Sequence, residues 1–176
     1  MKTFLSLFAA LAFSISFLPA KAQQDKSKRA SPPVTVSETI NGGATLTINY
    51  SQPSVKGRTI GKDLEPMPGK VWRAGANEAT TFEASQDVRI DGKALPAGKY
   101  ALFMIDNGSE WTVIFNKKWN TWGAYDYGKN KDEDALQLNV KAGKAPSFAE
   151  KLTYTIDKNG RVSLLWGDKQ VAFTVK

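Results

Sequence analysis

Two short stretches hold the side chains whose types and spacing could do chemistry. The first is VWRAGANEATTF, Val71–Phe82, in which Trp72, Arg73, Asn77 and Glu78 gather around an Ala-Gly-Ala step. The second is NKKWNTWGAYDYG, Asn116–Gly128, which sets Trp119, Trp122, Tyr125 and Asp126 among amides, hydroxyls and glycine. Aromatic faces beside amide and carboxylate groups grip sugars and peptides in water: the rings stack and the polar edges are read by hydrogen bonds. Paired carboxylates allow a second chemistry, with Glu78 and Asp126 as acid and base of a hydrolase. Each stretch also has a purely architectural reading. AGANEA is then a connection between two strands, with Gly75 taking the unusual φ, Asn77 bonding the backbone and Trp72 in the core. The Trp119–Tyr127 rings are then a plug over one open end of the fold.

The composition removes other chemistries. The chain has no His and no Cys, so the usual ligands of zinc, copper, haem and iron–sulfur sites are missing, and so are the Ser-His and Cys-His nucleophile pairs. No metal site and no cofactor are expected. KNKDEDALQ, Lys129–Gln137, lacks the spaced oxygen ligands and glycine of a calcium loop and reads as a solvated charged turn. INGGAT follows a strand but opens no helix, so no phosphate loop is indicated. The net charge of +7 is spread singly along the chain, which argues against a nucleic-acid partner.

The N-terminus reads as a secretory signal peptide over residues 1–22. Lys2 precedes an apolar run from Phe4 to Leu18, and an Ala-Lys-Ala cleavage site ends at Ala22. The run is shorter than the ~20 residues of a spanning helix, so no membrane insertion is expected after cleavage. The mature chain is expected to be exported, periplasmic or extracellular. Without Cys it must rely on a real apolar core in place of disulfides. QQDKSKRASPP, residues 23–33, is basic and Pro/Ser-rich with no large aliphatic side chain, and is expected to be a mobile leader.

From residue 34 to 176 one domain is expected, built of short alternating runs. VTVSETI and ATLTINYS flank a Gly-Gly turn, with Leu46, Ile48 and Tyr50 on one face and Thr45, Thr47 and Asn49 on the other. VRI-DG-KAL, Val88–Leu95, carries the Asp-Gly pair of a type I′ hairpin. KYALFMI and WTVIFNK are apolar on both faces and should be central. ALQLNVK, KLTYTID, RVSLLW and QVAFTV complete the set, with GDK after Trp166 read as a hairpin turn. SFAEKL fits a capping box, giving one turn of helix at most. The fold class is all-β: a single antiparallel β-sandwich of about ten strands.

Four blocks in order, YSQPSVKGR, GKVWRAGANEATT, DGKALPAGKYALF and WTVIFNKKWNTWGAYDY, resemble the family known as domain of unknown function 2911, a group of small exported bacterial proteins. The resemblance implies a compartment but no activity and no catalytic residues. The residues themselves point to a non-enzymatic exported binding module. One end of its sandwich, built from Trp72–Glu78 and Trp119–Tyr127, would hold a small polar ligand such as an envelope glycan or peptide fragment. The rivals are the carboxylate hydrolase and an envelope scaffold without a small ligand.

Overall fold

Period-two alternation builds the first layer. In a computed structural model that describes residues 25–176, β1 (Pro33–Thr39) and β2 (Thr45–Ser51) form the expected hairpin, with Val36 opposite Ile48 and Thr39 opposite Thr45. Leu46, Ile48 and Tyr50 are buried. On the other face the polar partners meet across the strands: Thr35 donates to Asn49 at 2.7 Å, and the Ser37–Thr47 and Thr39–Thr45 hydroxyls lie 2.9 Å apart. The expected signal peptide, residues 1–22, lies outside the described residues. No helix among the described residues is long and apolar enough to cross a membrane.

The chain continues through β3 (Val71–Trp72), β4 (Ala76–Ala84), β5 (Val88–Ile90), β6 (Lys93–Leu95), β7 (Gly98–Asp106) and β8 (Glu110–Asn116). After these come a single helical turn, α1 (Tyr127–Asn130), and then β9 (Asp134–Lys141), β10 (Gly143–Ile156) and β11 (Arg161–Thr174). The main sheet is antiparallel in the order β1-β2-β4-β7-β8-β9, with β3 also paired to β7. The β10–β11 hairpin supplies the opposing layer, giving an all-β sandwich. The small β5–β6 hairpin turns at Asp91 (φ 45°) and Gly92 (φ 85°), the two positive angles a type I′ turn needs.

The inner core lies between the layers. Phe82 and Phe115 on the sheet meet edge to face at 5.1 Å, and Phe115 meets Phe173 of β11 at 5.7 Å. Leu102 and Met104 join them from β7. A second, smaller cluster of Ala79, Ala101, Phe103, Ile114 and Tyr127 covers the opposite face. This is why β7 and β8 are apolar on both sides.

Two local expectations are corrected. GDK is no hairpin: RVSLLW and QVAFTV belong to one strand, β11, which passes through Gly167 at φ 62° opposite a register shift in β10. SFAEKL is no helical turn but lies inside β10. Its Glu150 does not cap a helix, because the carboxylate accepts from the Lys56 N–H at 2.8 Å and the Glu150 carbonyl from Val55 N–H at 2.8 Å.

Candidate functional site

The Val71–Phe82 segment crosses from β3 into β4 through two residues in the left-handed region, Ala74 (φ 51°) and Asn77 (φ 57°). Gly75, expected to take that conformation, does not; it is glycine for lack of room. A Cβ there would stand 2.6 Å from Thr80 Oγ1 and 3.3 Å from the Ser51 carbonyl. The Ala74 carbonyl is pinned by the hydroxyls of Thr80 (3.0 Å) and Tyr154 (2.8 Å).

Trp72 is part of this fastening and not of a ligand site. It is 1% exposed, donates its indole N–H to the Gly75 carbonyl at 3.0 Å and packs edge to face on Trp111 at 6.4 Å. Arg73 stands apart from this fastening. It forms no ion pair with Glu78, and its buried Nε has no hydrogen-bond partner among the described residues.

The second motif is laid over the outer face of the sheet by its own anchors. Asn116, fully buried at the end of β8, donates to the Asn130 carbonyl (2.8 Å) and to Asp134 (2.7 Å). Tyr127 packs on Phe103 at 5.2 Å and donates its hydroxyl to Asp134 at 2.7 Å. Burial, then that bond and the Asp134 charge, hold its phenol protonated well above the usual range. Tyr127 therefore packs on the outer face of the sheet and plugs no open end, while Trp119, Trp122 and Tyr125 stay exposed.

The two motifs meet along β4. Ala79 N–H donates to the Thr121 carbonyl (3.0 Å), Gly123 N–H donates to the Asn77 carbonyl (3.1 Å), and Glu78 and Trp122 form a bridge. Between them opens a cleft of about 250 Å³. It lies on the outer face of the sheet, where Asn49 and Thr81 stand in register and Ala79 keeps the floor low, and not at an end of the sandwich. Trp119, Asn120 and Thr121 line it together with Lys26, Glu78 and Lys99. Lys99 Nζ stands 4.7 Å from the centre of the Trp119 ring. The hydroxyls of Thr81 and Thr121 are buried and have no hydrogen-bond partner among the described residues.

Of the residues singled out in the sequence, Glu78 and Trp119 line this cleft and Asn77 and Trp122 flank it. Tyr125, 80% exposed, does not line it. Neither does Asp126, whose carboxylate is 3.1 Å from Lys129 Nζ. The supposed acid–base pair of Glu78 and Asp126 thus does not share the cleft. The alternation of β2 already put Asn49 on the polar face, and Asn120 and Thr121 are among the amides and hydroxyls of the second stretch; Thr81, Lys26 and Lys99 had no such signal.

Lys26 belongs to the segment expected to be a mobile leader, which from Asp25 onward makes defined contacts with the sheet. Asp25 accepts from Ser27 N–H (3.0 Å) and starts a 3-10 turn over Lys26–Lys28. Arg29 Nη1 donates to both Glu78 oxygens at 3.0 Å, and Lys26 Nζ lies 2.9 Å from Oε1. Partial burial opposes ionisation of Glu78. The bonds from Lys26, the backbone and Arg29, and the Lys26 charge, outweigh it and hold the carboxyl at about 2.

A pH dependence follows. A carboxyl whose value is lowered on folding stabilises the fold above its unfolded value, about 4.5, and loses that contribution as pH falls toward about 2. The side chain is 38% exposed, so water screens the pair and the plateau is about 1 kcal/mol or less. The melting-temperature difference between the parent and Glu78→Gln should be constant above about pH 4.5 and vanish toward pH 2. A difference independent of pH would contradict the ion-pair account.

No curated protein and no solved structure is similar to this chain. Residues 31–175 match the family model described as protein of unknown function (DUF2911). That match covers most of the chain, from just ahead of β1 to the end of β11, so the protein belongs to the DUF2911 family.

Proposed function

We propose that this protein is an exported, non-enzymatic binding module whose cleft takes a small polar ligand, a glycan fragment above all. The observation that carries the reading is the pair of buried, unpartnered hydroxyls of Thr81 and Thr121 beside the Trp119 indole. A buried hydroxyl without a partner costs about 1–3 kcal/mol, which a ligand able to bond it recovers. The amides of Asn49 and Asn120 add donors and acceptors, and the indole offers a face for a sugar ring. Export is supported by the signal-peptide pattern. Against catalysis stand the two cations already on Glu78 and the placement of Asp126 on Lys129.

The test is a thermal-shift screen of the full mature chain against glycan fragments, with cell-wall peptides as the contrasting panel. A ligand at a hundredfold excess over its Kd adds about 2.7 kcal/mol to stability. Trp119→Ala should weaken that ligand by about tenfold or more, or ~1.4 kcal/mol. Undiminished binding by Trp119→Ala, or stabilisation by the peptides alone, would overturn the glycan reading.

A further inference from the structure

We infer that Glu78, Trp122 and Asn77 form a recognition site for an arginine-bearing peptide segment, filled in this chain by its own residues 25–32 and able to take such a segment from another molecule. The contacts are those by which a peptide is read. The side-chain part is Arg29, whose Nη1 donates to both Glu78 oxygens at 3.0 Å while its guanidinium stands 5.9 Å from the centre of the Trp122 ring. A guanidinium suits this pairing because its plane can lie on a ring while its N–H groups reach a carboxylate. Lys26 adds a second charge on Oε1 at 2.9 Å. The main-chain part is captured as well: Asn77 Nδ2 donates to the Ser31 carbonyl at 3.0 Å, and Gln52 N–H donates to the Pro32 carbonyl at 2.9 Å.

The backbone of the receiving half is fixed without help from the occupant. Asn77 is held in its left-handed conformation by the bond from Gly123 N–H, and Glu78 is locked beside Trp122 by the bridge between β4 and the 121–123 segment. The occupant, by contrast, is held by polar contacts. No residue of the Lys26–Lys28 turn is buried and the Lys26 side chain is 50% exposed, while Arg29, at 21%, is the more enclosed of the two cations. Ion pairs of that kind are screened by salt and dissociate at little cost. A preorganised receptor carrying a weakly fastened occupant is one that a competing peptide of the same chemistry can enter. The site shares Glu78 and Lys26 with the cleft but not Thr81 or Trp119, neither of which makes any of these contacts.

The experiment frees Glu78 and Trp122 in the full chain with Lys26→Ala/Arg29→Ala and adds, in trans, an acetylated and amidated peptide of sequence DKSKRASPP, followed by heteronuclear NMR. The expected result is saturable shifts of the Trp122 indole and Asn77 side-chain amide signals. Affinity should fall at least tenfold when the peptide's arginine is replaced by norleucine, or when the protein carries Glu78→Gln. The parent chain should bind at least tenfold more weakly than the vacated one, because its own segment competes at high effective concentration. Trp119→Ala should leave this binding unchanged, which separates it from the cleft. A folded, vacated protein showing no saturable shift at millimolar peptide, or binding indifferent to Glu78→Gln, would overturn the proposal. Should the double variant fail to fold, Arg29→Gln vacates the guanidinium position alone and is judged by the same two outcomes.

Discussion

Gly160→Ala is expected to cost about 3–5 kcal/mol, combining the strain of a left-handed non-glycine residue with a steric overlap in a packed turn. Gly160 sits at φ 82°, and an added Cβ would overlap the backbone carbonyl of Val175. That approach exists because Gly160 N–H donates to Asp157 while its carbonyl accepts from Val175 N–H at 2.8 Å. Neither backbone can yield without loss of a hydrogen bond. Gly92→Ala is the internal comparison: φ is 85°, but nothing lies within 4 Å of the new Cβ. It should cost only the dihedral strain, about 1–2 kcal/mol. Urea denaturation of both variants reads the difference, and equal losses would show that crowding at Val175 is relieved cheaply.

Trp72→Ala should remove about 3–5 kcal/mol, the range for deleting a large buried ring. The side chain is 1% exposed, fills the inner core against Trp111 and supplies the bond that holds the Gly75 carbonyl. Trp72→Phe keeps much of the packing but leaves that buried carbonyl unpaired, so a loss of about 1–3 kcal/mol is expected. Neither change should alter ligand binding by the protein that remains folded. A Trp72→Phe chain of undiminished stability but lost binding would return this residue to the site.

What was legible in the sequence was what is local. The β1–β2 hairpin, the Asp91–Gly92 turn and the two-sided apolar character of β7 and β8 each follow from period-two alternation or a turn dipeptide. GDK was misread because a glycine in a bulged strand and a glycine in a hairpin look alike over three residues. Only the long partner strand β10 decides between them. Residue type likewise did not tell Trp72 from Trp122: one indole is enclosed and the other 55% exposed, according to where distant segments pack. The pairing of Arg29 with Glu78 joins residues 49 apart in sequence. Nothing near either one announces it, and a basic Pro/Ser-rich segment reads as disorder until its partner is known. Nor does an Ala-Gly-Ala step reveal that the left-handed angles fall on Ala74 and Asn77, leaving Gly75 to relieve a close approach.

The apolar cover on both faces of β7 and β8 has a consequence for time scales. Ala101 and Phe103 face one cluster while Leu102 and Met104 face the other, all four at most 2% exposed. No local fluctuation can bring their amides to water without separating two packed layers. Their protons should therefore exchange with solvent only through opening of the whole domain, and so report its global unfolding free energy. The Lys26–Lys28 turn has no buried residue to lift. Its amides should exchange through small, frequent excursions, orders of magnitude sooner. The molecule thus joins its slowest-opening strands to a face whose covering segment opens readily, so that segment can lift while the sheet beneath it stays shut.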